Sequence, residues 1–161
     1  MHDAEQNTGD TNRCGHSAGK VFIPAQHAHT GMAKLKILVV DDSWPTRTAI
    51  AEALEANGYE VVASGKDGND AVALYNQTRP DVMILDIMMP GRDGLDAVRE
   101  IRLIDPQANI IVESARDDEA LKLRAKILGV SSYLVKPFGL AGLTEALKPF
   151  SRLERTKDLM R

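Results

Sequence analysis

Asp41-Asp42, Asp86, Ser114 and Lys136 each close an apolar run: Val39-Val40, Val82 to Leu85, Ile110 to Glu113, and Tyr133 to Val135. In an open parallel sheet ligands bind beyond the carboxyl ends of the strands, so residues far apart in sequence can meet there. One shared site is simpler than four coincidences. Adjacent carboxylates such as Asp41 and Asp42 repel unless a cation or proton intervenes. Magnesium, a hard cation, takes one or two protein carboxylates and fills its other positions with waters and phosphate oxygens; the bland alternative is a solvated turn. Asp86 opens the stretch Asp86-Ile87-Met88-Met89-Pro90-Gly91-Arg92-Asp93-Gly94. A carboxylate there can accept a phosphoryl group when metal charge offsets the approach of an anionic donor, or it can merely cap the next segment. Pro90, Gly91 and Gly94 predict a defined loop over it. Together the four positions describe a magnesium-assisted aspartyl-phosphate site.

The elements that must position these residues alternate from Leu35 onward. The strands read as continuous apolar runs, as a sheet covered on both faces requires, giving an α/β fold of five strand–helix units. The first strand is expected at about Leu35 to Val40, followed by Ser43 as helix N-cap with Pro45 in the first turn. Thr46, Ala49, Ile50, Ala53 and Leu54 recur at helical spacing until Asn57-Gly58 stops them. A second strand is expected over Tyr59 to Ala63, then Asp67 as a cap for a helix carrying Ala71, Leu74 and Tyr75, broken by Arg79-Pro80-Asp81. Leu95, Val98 and Ile101 mark a third helix, Leu121, Ala125 and Leu128 a fourth, and Leu140, Leu143 and Leu147 a fifth that Pro149 ends or kinks.

Composition narrows the function. The 161 residues carry 20 Lys and Arg against 23 Asp and Glu, a formal net charge of -3, with 43% hydrophobic and 27% charged residues. This is ordinary for a globular domain and far from the basic balance of a domain that holds nucleic acid through its phosphates. No apolar run approaches the roughly 20 residues of a membrane span, and the polar N-terminus lacks a signal-peptide core; the expected compartment is the cytoplasm, with no membrane insertion. Residues 1–33 read as a disordered tail in which Met32 is an alternative start, 34–150 as the domain and 151–161 as a basic tail. Cys14, the only cysteine, and all four histidines (His2, His16, His27, His29) lie in the first segment. A Ser-His-Asp or Cys-His mechanism within the domain is therefore excluded. The spacing of Cys14, His16, His27 and His29 is not a common zinc pattern.

The acidic pair, the Asp-Ile-Met-Met-Pro-x-x-Asp-Gly stretch, Ser114-Ala115 and Lys136-Pro137-Phe138 resemble the receiver domain of two-component response regulators, over about Lys34 to Phe150. The resemblance implies a flavodoxin-like (βα)5 doubly wound parallel sheet of strand order 2-1-3-4-5. It implies Asp86 as phosphoacceptor, and Mg2+ held by Asp41, Asp42, Asp86 and the backbone carbonyl of Met88. Lys136 would lie against Asp86 before phosphorylation and against the phosphoryl group after it; a structural salt bridge is the alternative. A cis Lys136-Pro137 peptide is also implied. Ser114, next to Ala115, would bind a phosphoryl oxygen, and Tyr133 matches an aromatic switch position. Without the resemblance the two read as a strand-end cap and an amphipathic strand residue. Met88 and Arg116 match positions that tune the lifetime of the phosphoryl group. Glu113 stands where the family has an apolar residue and is expected to point outward or pair locally, since an unpaired buried carboxylate is costly.

The function implied is that of a stand-alone response regulator rather than an enzyme. It would receive its phosphoryl group from a sensor histidine kinase or a histidine phosphotransfer protein and signal through the surface of the fourth and fifth helices to a downstream protein target. The C-terminal stretch Lys148 to Arg161 has five basic residues but no helix-turn-helix, so direct nucleic-acid contact is not expected. Two other classes compete: a phosphorylation-independent pseudo-receiver, and a haloacid-dehalogenase-like phosphohydrolase. The second needs Asp-x-Asp after its first strand, where this chain has Asp41-Asp42-Ser43.

Overall fold

The computed structural model describes residues 34–151; the two tails expected at 1–33 and 151–161, with the cysteine and the histidines, fall outside those residues apart from Ser151. Five strands alternate with five helices: β1 (Lys36–Val40), α1 (Trp44–Ala56), β2 (Glu60–Gly65), α2 (Gly68–Thr78), β3 (Val82–Asp86), α3 (Gly94–Ile104), β4 (Ile110–Ser114), α4 (Glu119–Ile127), β5 (Ser132–Val135) and α5 (Gly139–Leu147), then a 3-10 turn over Lys148–Phe150. All pairings are parallel and the order is β2-β1-β3-β4-β5, as expected.

The continuous apolar runs have the predicted cause. Side chains alternate across a strand, and here both faces are covered. Leu38, Val40, Met83, Leu85, Ile110 and Val112 pack with residues of α2, α3 and α4. Ile37, Val39, Ile84 and Ile111 pack with Ile50 and Leu54 of α1 and Leu143 and Leu147 of α5. All five residues of β3 are buried, so a Leu85→Ala cavity would cost about 2–5 kcal/mol.

The caps hold the helices where the sequence puts them. Ser43 accepts from the Thr46 N–H, Asp67 from Asn69 and Asp70, Asp93 from Leu95, and Asp118 from Ala120 and Leu121, each satisfying amides that a helix start leaves orphaned. Two expectations change. β2 runs over Glu60–Gly65 rather than Tyr59 to Ala63, because the Tyr59 N–H is spent on Leu54 O at the end of α1, while Ser64 and Gly65 stay in register with Val39 and Val40. Leu140 is exposed rather than core: it lies in the first turn of α5, on the lip of an apolar groove of about 450 Å³ between α1 and α5.

Candidate functional site

Each chemical residue sits where a strand gives way to its loop. Asp41 follows β1 and is fully buried, whereas Asp42, one residue on, is exposed. Asp41 Oδ1 accepts from the Ser43 N–H at 2.7 Å and Oδ2 from Lys136 Nζ at 2.7 Å. The Arg47 guanidinium donates to the Asp41 carbonyl. Asp86, the last residue of β3, is 3% exposed; its Oδ1 accepts from the Met88 N–H at 3.0 Å and its Oδ2 lies 3.3 Å from Lys136 Nζ. One carboxylate oxygen from each of Asp41, Asp42 and Asp86 can be chosen so that all lie within 4.8 Å of one another.

Gly94 explains how the loop after Asp86 closes so tightly. A Cβ at that position would stand 2.2 Å from the Asp86 carbonyl oxygen and 2.8 Å from Ile87 Cα, and the Gly94 N–H donates to Ile87 O at 3.0 Å. Any side chain would push the start of α3 off the backbone that carries Asp86. Gly91, at φ +81°, supplies the left-handed residue that the Pro90-Gly91 turn predicts.

On β4, Ser114 is fully buried and its Oγ accepts from the Arg116 N–H at 3.1 Å, the strand-end capping role that its position allowed. The Tyr133 hydroxyl donates to the Arg116 carbonyl at 2.8 Å. The backbone of Arg116 therefore links the hydroxyl residue to the aromatic one, while its guanidinium pairs with Asp118 Oδ2 at 2.7 Å. Ala115 and Arg116 are exposed, as is Met88. The Lys136 N–H donates to Ser114 O at 2.8 Å, and the Lys136-Pro137 peptide is cis, as the resemblance implies.

Lys136 lies against Asp86 as the resemblance implies, at 3.3 Å, and makes its shorter hydrogen bond to Asp41. One residue differs from expectation. Glu113 points inward: it is fully buried, neither carboxyl oxygen has a hydrogen-bond partner among the described residues, and Lys136 Nζ is 3.8 Å from Oε1. Two-residue alternation forces this orientation, because Ile111 and Glu113 share the face that α1 and α5 cover. The sequence signal is a lone carboxyl in an apolar strand covered on both faces, but it does not say which side chains meet that carboxyl.

The electrostatics follow from burial. Glu113 is pushed up to about 8, chiefly by loss of water, with Lys136 opposing and Asp41 adding to the rise. Because Asp41 is itself an acceptor, a hydrogen bond between these two carboxyls needs a proton on one of them. Burial also raises Asp86, against the Met88 N–H and Lys136, which favour its charged form. Lys136 loses water too, yet the hydrogen bond to Asp41 and the charges of Glu113, Asp86 and Asp41 hold its ammonium above the ordinary range. Three buried carboxyls thus share one cation. The oxygen-only cluster of Asp41, Asp42 and Asp86 fits Mg2+.

The fold agrees with what the chain is similar to. The family model described as the response regulator receiver domain matches residues 37–148. The chain belongs to that family. Among its relatives, Chemotaxis protein CheY of Thermotoga maritima is 38% identical over 117 residues, covering 73% of this chain and 98% of that one. Chemotaxis protein CheY of Bacillus subtilis is 40% identical over 112 residues, covering 70% and 93%. Among solved structures, a chain of the CheX-CheY-BeF3-Mg+2 complex from Borrelia burgdorferi aligns at TM-score 0.70 with 29% identity, covering 73% of this chain and 90% of that one. The protein is a receiver of CheY-type two-component signalling. No helix among its described residues is long and apolar enough to cross a membrane.

Proposed function

We propose that this receiver is switched by phosphorylation of Asp86, with the phosphoryl group supplied by a phosphohistidine on a sensor kinase or phosphotransfer protein. The observation that carries this is the Lys136 ammonium, which bridges Asp41 at 2.7 Å and Asp86 at 3.3 Å across the ends of β1, β3 and β5. A buried nucleophile is thereby held beside a cation on one side and metal-capable carboxylates on the other. An Asp86 oxygen forms a bond to phosphorus, the donor's P–N bond breaks, and the imidazole leaves with that electron pair and is reprotonated from water. Asp41, Asp42, Asp86 and the Met88 carbonyl would hold Mg2+, which supplies neutralisation of the phosphoryl oxygens. Lys136 follows the transferred charge.

Ser114 Oγ now accepts from Arg116, so its proton is free to be donated to a phosphoryl oxygen. That shift would pull the Arg116 backbone and, through it, the Tyr133 hydroxyl. New contacts made only in the phosphorylated state bias a two-state equilibrium, and the altered surface is read by a protein target. The protein acts as a stoichiometric phosphoacceptor rather than a turnover catalyst. The relative solved with CheX and BeF3 supports a protein-reading, phosphoryl-dependent surface.

Asp86→Asn is expected to keep the fold and lose all phosphoryl uptake, measured by mass spectrometry after incubation with a phosphorylated kinase and Mg2+. Uptake by the variant would refute the assignment. Trp44 is 67% exposed and lies two residues beyond the acidic pair; its fluorescence should change with beryllofluoride and Mg2+ in wild type only. Exposed Met88 and Arg116 flank the site, and replacing both with small polar residues is expected to shorten the phosphoryl lifetime severalfold. An unchanged dephosphorylation rate would remove that role.

A further inference from the structure

Glu113 is the buried group that the proposed chemistry leaves unused. Its carboxyl has no exposure and no hydrogen-bond partner among the described residues. Burying such a group is costly, and buried polar groups in native proteins are ordinarily satisfied. An apolar residue would serve β4 better if the position were core alone, so the cost points to a task in the site.

The ammonium of Lys136 is 2.7 Å from Asp41, 3.3 Å from Asp86 and 3.8 Å from Glu113. These three carboxyls differ in their other duties. Asp41 and Asp86 belong to the metal-capable cluster, while Glu113 does not. Once Asp41 faces a cation and an Asp86 oxygen is bonding to phosphorus, each has less charge to offer the ammonium. Glu113 lies outside that cluster, and its Oε1 can face the ammonium as an acceptor whether or not the carboxyl carries a proton.

We propose that Glu113 is a positioning residue for Lys136: a carboxyl on the face of β4 that α1 and α5 cover, which keeps the ammonium aimed at the reacting oxygens while Asp41 and Asp86 are engaged. This rests on the reading of Asp86 as phosphoacceptor. Glu113→Leu, Glu113→Gln and wild type, as full chains, are compared in three measurements. These are thermal unfolding, phosphoryl uptake from a small acyl phosphate at saturating Mg2+, and acylation of Lys136 Nζ by a succinimidyl ester with Mg2+ present, read by peptide mass spectrometry.

The Leu variant is expected to unfold at a higher temperature yet take up phosphoryl about tenfold more slowly, with Lys136 acylated severalfold faster. Gln, which keeps a polar head, should restore uptake and protection to near wild type; a purely structural role predicts no such rescue. A Leu variant that matches wild type in both uptake and Lys136 acylation overturns the proposal. If wild type takes up no phosphoryl group, the reading of Asp86 has failed instead, and the acylation rates alone decide whether Glu113 positions Lys136.

Discussion

At the amino edge of the sheet the Arg102 guanidinium donates to four backbone carbonyls, those of Leu128 (3.0 Å), Pro106 (3.0 Å), Ala108 (2.6 Å) and Gly129 (2.5 Å). The Tyr75 hydroxyl there donates to Asp105 Oδ2 at 2.7 Å, and Asn109 Nδ2 donates to Asp81 O at 2.9 Å. At the carboxyl edge, by contrast, Asp41, Asp86 and Glu113 converge on one ammonium, and no described residue donates a hydrogen bond to either oxygen of Glu113. One edge ties α3 to the end of α4 with its hydrogen-bonding capacity spent inside the protein. The other holds that capacity in reserve. A site that must accept an anion and a cation cannot already be neutral, and the stability it forgoes must come from elsewhere in the fold.

If that division is real, substitutions at the two edges should fail in different assays. The largest effect is expected at Lys136: Lys136→Ala should slow phosphoryl uptake on the order of 100-fold by removing a preorganised cation. A variant that folds and keeps the wild-type rate would erase the contrast between the edges. Arg102→Ala comes next and should do the reverse. It should lower unfolding free energy by about 2 kcal/mol, since several charge-assisted hydrogen bonds are lost from a partly exposed group, with uptake per folded molecule unchanged.

Tyr75→Phe has the smallest effect and tests the same contrast more finely, with about 1 kcal/mol lost at pH 7 and no change in uptake. Its pH dependence has a definite sign. The Tyr75 hydroxyl holds Asp105 below the ordinary carboxylate range, so the stability this adds is present above the unfolded value and lost as pH falls through the lowered one. Burial first and Asp105 second raise Tyr75, and the corresponding stability is lost as pH rises past the unfolded phenol value. Denaturant unfolding of the two proteins should therefore converge below about pH 4 and again above about pH 10. A gap that stays constant across both limits would show that the bond to Asp105 is not its source.

Much of this was legible in the chain because local signals agreed. Ser43 and Asp67 cap as their positions predict, and the apolar runs end in the residues that meet. Tyr59 reads as a strand residue ahead of Val61-Val62, but closing the end of α1 takes its N–H. Leu140 has the spacing of a core residue and fails because its turn lies in the open groove between α1 and α5. Arg102 carried no signal, since a surface-looking arginine near a helix end has many possible acceptors.

Hydrophobic period and helix caps act locally, and for that reason the amino-acid order alone dictates the succession of elements, the two covered faces of the sheet and the identities of Asp41, Asp42, Asp86, Ser114 and Lys136. Three outcomes required the folded chain: which carboxylate Lys136 prefers, the link from Ser114 to Tyr133 through the backbone of Arg116, and the inward orientation of Glu113. They depend on distances between strand ends that no local pattern encodes, and at buried charges differences below about 1 Å decide which contact is a hydrogen bond.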